Sequence, residues 1–485
     1  MNLLLADIIA HSHSELLVQP HSNQTRAVAL AWDSRLVQPG SLFVAVKGAN
    51  SNGNDFIPEA LLNGAVAVIA SDQPSKAALA AAKSRGAALL RARNNDIFAA
   101  LKHLAAAYRC QLAATVIGVT GSSGKTTTKD LIAAVLAAGF ATHATPGNRN
   151  NEIGLPATLL DASPEHEMIV LEMGMQALGE IDALCEAARP SIGVLTNIGV
   201  AHCELLGSRD NIARAKAELF ENLPDNTGIA LLNGDDSSAD RLVQLARLEE
   251  RGITTLRYGL GEPNDLRATD ISYDSLGRPS FDLWLPDGRR HRASVALPGE
   301  HNIYNALAAV GVGLGTGVPL PAILAALTQV KPAALRQELI ELADGTLLIN
   351  DTYNANPDSM RAALTLLSRL AARGKRIAVL GDMYELGSEE QRFHRETGAF
   401  AFLSGVDILM SVGRLGADIS TGALEVGMPS DAVFACADID AAATRLAAVL
   451  TGQEHAPVVL VKASRGMRLE ELVARLGDAG SEKRR

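Results

Sequence analysis

One segment of the chain combines glycine, lysine and threonine in the order that phosphate-binding turns use. It reads GVTGSSGKTT over residues 118–127, with an apolar run before it and a helical pattern after it. A glycine-rich turn between a strand and a helix points backbone N–H groups and a helix N-terminus at an anion. Lys125 can there reach the β and γ phosphates of a nucleotide, and the Thr126 hydroxyl can bind Mg²⁺. The usual spacing is not met, because Val119 stands where the first glycine belongs.

Acidic side chains end two of the apolar runs. Glu172 closes MIVLE (168–172), and Asp351 closes TLLIND (346–351). Charged groups at the carboxyl ends of buried strands lie where open α/β sheets bind ligands. A carboxylate is a hard oxygen ligand of the kind that Mg²⁺ prefers. Glu172 is therefore a candidate metal ligand, although an ordinary strand-end carboxylate explains it equally well.

Other polar residues have a plain explanation beside the functional one. His202 follows the run SIGVLTNIG, and alone it is more typical of a loop histidine than of a metal ligand. Lys216 lies in a helical segment, where a solvated lysine near Glu218 is the simpler interpretation. Arg336 follows KPAAL and is either merely exposed or able to reach a phosphate across a cleft. Asn302 and Asn305 are residue types that cap or begin a helix.

Three domains are predicted to position these residues, since a chain of 485 residues is long enough for about that number. From residue 113, apolar runs alternate with helical patterns, which predicts a parallel sheet covered on both faces. Alternating polar and apolar residues between 255 and 297 predict an antiparallel insertion. A second alternating series begins near 333 and indicates a Rossmann-like domain. The predicted domains are 1–112, 113–332 and 333–485.

Composition and charge restrict the class of protein. Lys plus Arg is 44 and Asp plus Glu is 54, a net charge of −10 that argues against nucleic acid or an anionic membrane as the main partner. The four cysteines are scattered, so neither a disulfide framework nor a structural zinc site is expected. The N-terminus lacks the basic region of a signal peptide. Residues 305–330 carry no charge, but glycines and prolines crowd the middle, which favours two buried helices over a membrane span.

Taken together, the motifs resemble the Mur ligase family, the ATP-dependent amide-bond ligases of peptidoglycan precursor synthesis. The resemblance covers nearly the whole chain. Two motifs, NDTYNANPDSM (350–360) and GDMYELG (381–387), point to the member that adds D-alanyl-D-alanine to UDP-N-acetylmuramoyl-tripeptide. The other matching segments are DSRLVQPGSLFVAVKG (33–48), TGSSGKTTTK (120–129), GNRNNEIGLP (147–156), LEMG (171–174), TNIGVAHCE (196–204), AKAELF (215–220), GEHNIYNALAA (299–309) and VKASR (461–465).

The resemblance implies a role for each candidate residue, together with ATP and two Mg²⁺ ions. Lys216 is expected to be carbamylated by CO₂, which turns a cation into a carboxylate-like metal ligand. The implied catalytic and metal residues are Lys125, Thr126, Glu172, His202 and Lys216. The implied ATP-binding residues are Gly121, Ser122, Ser123, Gly124, Lys125, Thr126, Thr127, Asn302 (adenine), Asp351 (ribose) and Arg336 (phosphates). The family commonly has glycine before that arginine, whereas this chain has Leu335. The backbone conformation at Leu335, and with it the placement of Arg336, is therefore an open question.

The same resemblance assigns the two other substrates to the outer domains. The UDP-sugar residues are Ser34 and Arg35 in the first domain, with Asn150 and Asn151 in the second. The segments facing the dipeptide contain Asp382, Glu385, Lys462, Ser464 and Arg465. The implied reaction runs in two steps. ATP first converts the tripeptide carboxylate into an acyl phosphate, and the dipeptide amine then displaces phosphate.

Three alternatives remain at this stage. One is a ligase that adds the third amino acid to the same precursor, but such an enzyme should carry its own recognition motif in place of GDMYELG. A second is a folylpolyglutamate synthase, which the N-terminal sugar-nucleotide segment disfavours. A third is a phosphate-loop switch without ligase chemistry, but no N-K-x-D guanine signature is present. Whether the third residue of the tripeptide is lysine or diaminopimelate stays open. A monomer in the cytoplasm is the expected default.

Overall fold

The computed structural model describes residues 1–48, 51–199, 203–370, 374–451 and 453–482. Its fold is mixed α/β, with a parallel central sheet and further sheets in the N- and C-terminal regions. The predicted fold class is therefore confirmed. The strands predicted around the candidate residues are also present, including those that end at Thr120, Glu172 and Asp351.

The N-terminal region contains a small sheet flanked by helices. Its elements are β1 (Leu3–Leu4), α1 (Leu5–His11), β2 (Ser14–Val18), β3 (Arg26–Ala27), β4 (Ala29–Ala31), β5 (Ser41–Ala45), α2 (Ile57–Leu62), β6 (Ala67–Ala70), α3 (Lys76–Arg85), β7 (Ala88–Ala92) and α4 (Ile97–Arg109). The sheet order is β2-β7-β6-β5-β4, with β4 to β7 parallel and β2 antiparallel. β1 and β3 form a separate ribbon.

The central region is one continuous sheet covered by helices. Its elements are β8 (Thr115–Thr120), α5 (Lys125–Ala137), β9 (Thr142–Ala144), α6 (Gly154–Asp161), β10 (Met168–Glu172), α7 (Glu180–Ala188), β11 (Ile192–Leu195), α8 (Cys203–Leu206), α9 (Arg209–Glu221), β12 (Ile229–Asn233), α10 (Ala239–Leu245), β13 (Thr254–Gly259), β14 (Leu266–Tyr273), β15 (Pro279–Trp284), β16 (Arg290–Ser294), α11 (His301–Gly315) and α12 (Leu320–Leu327). The order is β16-β15-β14-β13-β12-β11-β8-β10-β9.

The antiparallel strands of this region differ from the predicted insertion in one respect. β14, β15 and β16 are antiparallel as expected. They do not form a separate unit, because β14 pairs with β13 and so extends the edge of the central sheet. β13 itself is parallel to β12. Pairing in this way covers backbone groups that an edge strand would otherwise leave open.

The C-terminal region is a second parallel sheet. Its elements are β17 (Glu338–Glu341), β18 (Leu347–Asp351), α13 (Pro357–Arg369), β19 (Arg376–Gly381), α14 (Glu390–Leu403), β20 (Ile408–Val412), α15 (Gly416–Glu425), β21 (Val433–Cys436), α16 (Ile439–Thr451), β22 (Val458–Lys462) and α17 (Glu470–Glu482). The order is β17-β18-β22-β19-β20-β21, and β17 is the antiparallel edge. The Rossmann-like alternation predicted from residue 333 onward is present.

Helix α4 holds the N-terminal region against the central one. Its Leu101 and Leu104 belong to the same buried cluster as Leu155 and Leu184 from α6 and α7. The Tyr108 hydroxyl donates to the Ala162 carbonyl oxygen at 2.7 Å, so even the polar end of this buried ring is satisfied. Burial of a shared apolar surface fixes the two regions relative to each other.

The uncharged stretch at 305–330 folds as α11 and α12, as predicted. In the described ranges, no helix is both long enough and apolar enough to cross a bilayer. Cys110, Cys185 and Cys436 are free thiols.

Candidate active site

The glycine-rich turn lies where the sequence places it, between β8 and α5. Gly124 precedes the first residue of α5 and has a φ of +81°, which a residue with a Cβ adopts at a cost. A Cβ on Gly121 would lie 1.8 Å from Thr196 Oγ1. Neither position tolerates a side chain, so backbone surrounds the N-terminus of α5. This arrangement presents N–H groups to an anion.

The end of β11 fixes the shape of this turn. Thr196 Oγ1 donates to the Ser123 carbonyl oxygen at 2.6 Å. The Ser123 N–H in turn donates to Asn197 Oδ1 at 3.0 Å. Thr196 and Asn197 were not among the predicted site residues. Their position directly after a central strand, the same signal that marked Glu172, was available to find them.

Lys125 folds back over the turn. Its Nζ donates to the Gly121 carbonyl oxygen at 2.7 Å. Burial lowers the pKa of Lys125, while the Glu172 carboxylate opposes that shift. The amine therefore stands between the turn and an acidic side chain, where it can contact a phosphate.

Glu172 is buried beside the turn, and only one of its two carboxylate oxygens has a hydrogen-bond partner among the described residues. Oε1 accepts a hydrogen bond from Asn150 Nδ2 at 2.8 Å. Oε2 has no hydrogen-bond partner in the described part of the chain, although Glu172 is only 1% exposed. A buried carboxylate oxygen without a partner is costly. It is the kind of donor that a hard cation takes, so this side chain fits Mg²⁺.

Lys129, which the sequence analysis did not select, holds the loop that carries Asn150. Its buried Nζ donates to the Thr145 carbonyl oxygen at 2.8 Å and pairs with Asp130 at 2.6 Å. The Thr145 hydroxyl accepts from the Glu172 N–H at 3.0 Å. The loop between β9 and α6 is thereby tied both to α5 and to β10.

The expectation of a solvated Lys216 is wrong. The side chain is 2% exposed on α9 and makes no hydrogen bond or ion pair within the described ranges. Glu218 does not pair with it, because its carboxylate accepts the Gly179 N–H at 2.7 Å and the Asp182 N–H at 3.1 Å. Burial lowers the pKa of Lys216 well below its usual range, and the charge of Lys125 lowers it further.

The structure describes only some of the other residues that were predicted for the metal site. His202 lies outside the described residues. Thr126 is 4% exposed in the first turn of α5. Over the described ranges, no three His, Cys, Asp or Glu side chains lie close enough to hold a metal by themselves. The oxygen donors of Glu172 and Thr126 suit Mg²⁺.

The predicted nucleoside residues lie on both sides of the seam between the central and C-terminal regions. Asn302 is the second residue of α11, and its Nδ2 donates to the Pro298 carbonyl oxygen at 2.6 Å. Asn305 connects Asn302 to Thr128 on α5, at 2.9 and 3.0 Å. Opposite them, Asp351 pairs with Lys462 at 2.8 Å across adjacent parallel strands.

Arg336 lies on the connection into the C-terminal region. Its guanidinium carbon is 3.8 Å from the centroid of the Tyr353 ring. Leu335 has a φ of +63°, in the left-handed region that glycine adopts easily. The Tyr353 N–H donates to the Leu335 carbonyl oxygen at 3.0 Å, which helps to hold that conformation. The backbone before Arg336 is thus the kind that a glycine would form, although leucine stands there.

Leu335→Gly should therefore be more stable than Leu335→Ala, the reverse of the usual order. Both variants lose the same side-chain contacts, but only alanine keeps the left-handed strain of about 1 kcal/mol. Urea unfolding of the two variants measures the difference. An alanine variant that is as stable as the glycine variant, or more so, would contradict the idea that this residue is strained.

The predicted sugar-nucleotide residues separate into two groups. Asn150 and Asn151 line the same cavity as the glycine-rich turn. Ser34 instead donates to Glu59 Oε2 at 3.1 Å, and exposed Arg35 pairs with Asp33 at 2.6 Å. A contact that the sequence analysis missed joins the two regions, since the Arg149 guanidinium lies 5.1 Å from the Trp32 ring centroid.

The predicted dipeptide segments meet in the C-terminal region. Asp382 Oδ1 accepts the Gly416 N–H at 2.8 Å, and burial raises the pKa of this carboxyl. Ser464 Oγ accepts the Tyr384 N–H at 3.0 Å, which ties the two segments together. Arg465 forms an ion pair with Glu470 at 3.0 Å. Glu385 follows on the same loop as Asp382 with a φ of +64°.

Most of these residues line one cavity of about 1050 Å³. Its walls come from the start of α4, from the glycine-rich turn and its neighbours, and from the C-terminal region. The predicted residues that line it are Ser122, Ser123, Gly124, Lys125, Thr126, Thr127, Asn150, Asn151, Glu172, Asn302, Arg336, Asp351 and Lys462. Its volume is slightly above the range of about 300–1,000 Å³ for small-molecule sites.

Family models match three successive parts of the chain. Residues 28–109 match a model described as Mur ligase family, catalytic domain. Residues 119–313 match the Mur ligase middle domain, and residues 335–465 match the Mur ligase, glutamate ligase domain.

Individual proteins are similar over almost the full chain. The UDP-N-acetylmuramoyl-tripeptide–D-alanyl-D-alanine ligase of Bacillus subtilis (strain 168) is 38% identical over 469 residues, 96% of each protein. A crystal structure of MurF from Acinetobacter baumannii is similar with a TM-score of 0.86, at 31% identity and 99% coverage of each chain. MurF ligase from Thermotoga maritima in complex with ADP gives a TM-score of 0.78, at 31% identity, over 95% of this chain and 99% of that one.

Proposed function

The chain belongs to the Mur ligase family, and we propose that it joins D-alanyl-D-alanine to UDP-N-acetylmuramoyl-tripeptide at the expense of ATP. The product is the pentapeptide precursor of peptidoglycan. The observation that carries this proposal is the single cavity that the phosphate-binding turn shares with Asn150, Glu172 and Asp351. An enzyme that joins three substrates needs such a convergence, because the reacting groups must meet in one place.

The chain order of the family matches supports a separate role for each domain. Residues 1–112 bind the UDP-sugar, 113–332 bind ATP, and 333–485 present the dipeptide. The Trp32–Arg149 contact and the cavity wall at the start of α4 support a UDP-linked substrate that runs from the first domain toward the turn. The enzyme acts as a monomer in the cytoplasm, where both ATP and the nucleotide-linked precursor are made.

The chemistry begins with a carboxylate that is too poor an electrophile to react with an amine. Its oxygen attacks the γ-phosphoryl group, and the N–H groups of the turn hold the phosphates while Lys125 neutralises the charge that develops. ADP leaves and an acyl phosphate remains. The dipeptide amine then attacks the acyl carbon and loses its proton, and phosphate departs. Closure of the C-terminal domain keeps water from the acyl phosphate.

Magnesium is supported by the donors beside the turn. Thr126, Glu172, His202 and Lys216 would hold two ions, which supply positive charge to the phosphate oxygens. For Lys216 to take part it must react with CO₂, and only a neutral amine does so. Its burial, its lowered pKa and its lack of a partner within the described ranges all support a neutral amine that is open to carbamylation.

Phosphate release is the direct test of this function. It should require ATP and the tripeptide precursor, and sustained release should also require D-alanyl-D-alanine. Parallel assays with the lysine and the diaminopimelate forms of the precursor would identify the third residue. Release that needs neither precursor nor dipeptide would indicate a simple ATPase and would refute the proposal.

Activation of the precursor should not require the dipeptide. The turn, Lys125 and Glu172 lie in the central region, while the dipeptide segments lie around Asp382 and Ser464 in the C-terminal one. We therefore expect an acyl phosphate when enzyme, ATP and tripeptide are mixed alone. Rapid quenching followed by borohydride reduction traps it as the alcohol. The absence of any trapped product until dipeptide is added would mean that the order of the two steps is wrong.

A further inference from the structure

The buried imidazole of His394, on α14, has no part in the chemistry described above. It is 0% exposed, and both of its ring nitrogens have backbone partners. The Met383 N–H lies 2.9 Å from Nε2, and the Glu390 carbonyl oxygen lies 2.6 Å from Nδ1. Because a backbone N–H only donates and a carbonyl oxygen only accepts, Nε2 is the acceptor and the ring proton lies on Nδ1. Burial lowers the pKa of His394, which favours this neutral form of the ring.

Met383 lies in the loop after β19, which carries residues predicted to face the dipeptide. The loop has an anchor at each of three successive residues. The Asp382 carbonyl oxygen accepts the Ser464 N–H at 3.0 Å, and the Tyr384 N–H donates to Ser464 Oγ at 3.0 Å. Ser464 thus holds the residues on either side of Met383. His394 holds Met383 itself.

The Asp382 carboxylate is fixed independently of His394. Its Oδ1 accepts the N–H groups of Leu415 and Gly416, at 3.0 and 2.8 Å, at the start of α15. Loss of the His394 acceptor should therefore act on Met383 and on the residues that follow it. Met383 is fully buried, and a buried N–H without an acceptor is costly. The loop should shift rather than leave this N–H unpaired.

We propose that His394 is a positioning residue for the dipeptide, whose ring holds the loop over residues 382–385 in the conformation that receives D-alanyl-D-alanine. The proposal rests on the function proposed above and adds a residue outside the segments assigned to the dipeptide. A fully buried ring cannot touch the substrate, so its effect passes through Met383. The glycine-rich turn and Glu172 lie in the central region, so the use of ATP and of the tripeptide should not depend on His394.

Two amide replacements separate the roles of the two ring nitrogens. His394→Gln can place its amide oxygen near the position of Nε2 and so keep an acceptor for Met383. His394→Asn places its amide near the position of Nδ1, which keeps a donor to Glu390 but leaves Met383 without an acceptor. In steady-state phosphate release, His394→Asn should raise the KM for D-alanyl-D-alanine about 5- to 100-fold, the effect of one buried N–H that loses its partner. The KM values for ATP and the tripeptide should not change, and His394→Gln should resemble wild type.

Controls show whether the effect is confined to the dipeptide. Acyl phosphate formation from ATP and the tripeptide alone should be unchanged in both variants. His455→Asn changes an exposed histidine before β22 and should leave every KM unchanged. Thermal unfolding verifies that the variants are folded. If His394→Asn does not fold, His394→Gln supplies the test, because any effect it has should be confined to the KM for the dipeptide.

The outcomes distinguish the role of His394 from the function on which it rests. If phosphate release by wild type does not respond to the dipeptide, the proposed function fails. If wild type responds and folded His394→Asn keeps the wild-type KM for the dipeptide, the positioning role is overturned. An equal rise in all three KM values, in either variant, would indicate general damage to the fold and would overturn the role as well.

Discussion

Replacing Lys125 by alanine should abolish ligation while leaving the protein folded. The Lys125 side chain lies over the glycine-rich turn, where negative charge develops on the phosphoryl group during its transfer. Two other lysines of this region cannot replace it, because Lys216 is buried with a strongly lowered pKa and Lys129 is paired with Asp130. Removal of a charge that acts on the transition state costs about 10²- to 10³-fold or more in kcat. Steady-state phosphate release measures the loss.

The folded state should tolerate this change. Lys125 contributes a hydrogen bond to the Gly121 carbonyl but no ion pair within the described ranges, so the free energy of unfolding should fall by about 1 kcal/mol at most. Lys76→Ala, at the exposed start of α3, is the matched control and should leave both turnover and stability unchanged. Near-normal turnover in Lys125→Ala would refute the assignment of the turn to ATP phosphates.

The turn itself was predictable because its signals are local. A β-branched run, glycines at the turn and a helical pattern after Lys125 are adjacent in sequence, and they produce β8, the turn and α5 directly. Glu172 and Asp351 were also predictable, because the residues of each strand indicate where that strand ends. For the turn and Glu172, membership of one cavity follows from the central sheet, because the parallel strands β8 and β10 end at the same edge. Asp351 ends β18 of the other sheet, so its place in the cavity depends on how the two regions pack.

The burial of Lys216 could not be derived from its immediate neighbours, where charged residues favour an exposed helix. One signal was available, since Ile212 and Phe220 lie four residues before and after Lys216 and share its helix face. That helix face packs against the protein interior, and its burial depends on the tertiary structure rather than on the neighbouring residues. β13 and β14 are consecutive strands, but the alternation of polar and apolar residues does not show which strands pair. The sequence therefore predicts antiparallel strands without their attachment to the central sheet. The left-handed backbone of Leu335 has no mark in its own residue type, and the one signal for it is the glycine that the family has before the arginine.

Lys216→Ala should lose most of the activity, and a short carboxylic acid should restore part of it. The deletion leaves a space near Lys125, where a buried side chain stood without a hydrogen bond or ion pair to the described residues. If the native side chain is a carbamate, acetate can supply the missing oxygens to Mg²⁺ from that space. Activity of the variant should then rise with acetate concentration and saturate. Wild-type activity should fall when CO₂ is rigorously removed, and bicarbonate labelled with ¹³C should give a carbamate resonance that Lys216→Ala lacks.

Two controls decide whether the effect belongs to a carbamate. Arg214→Ala, which removes an exposed partner of Glu221 on the same helix, should keep full activity with or without acetate. Lys125→Ala should stay inactive in acetate, because a carboxylate cannot replace a cation over the turn. An unmodified structural lysine would give a variant that is unstable to heat and indifferent to acetate. Full activity of Lys216→Ala without any added acid would remove Lys216 from the proposed metal site.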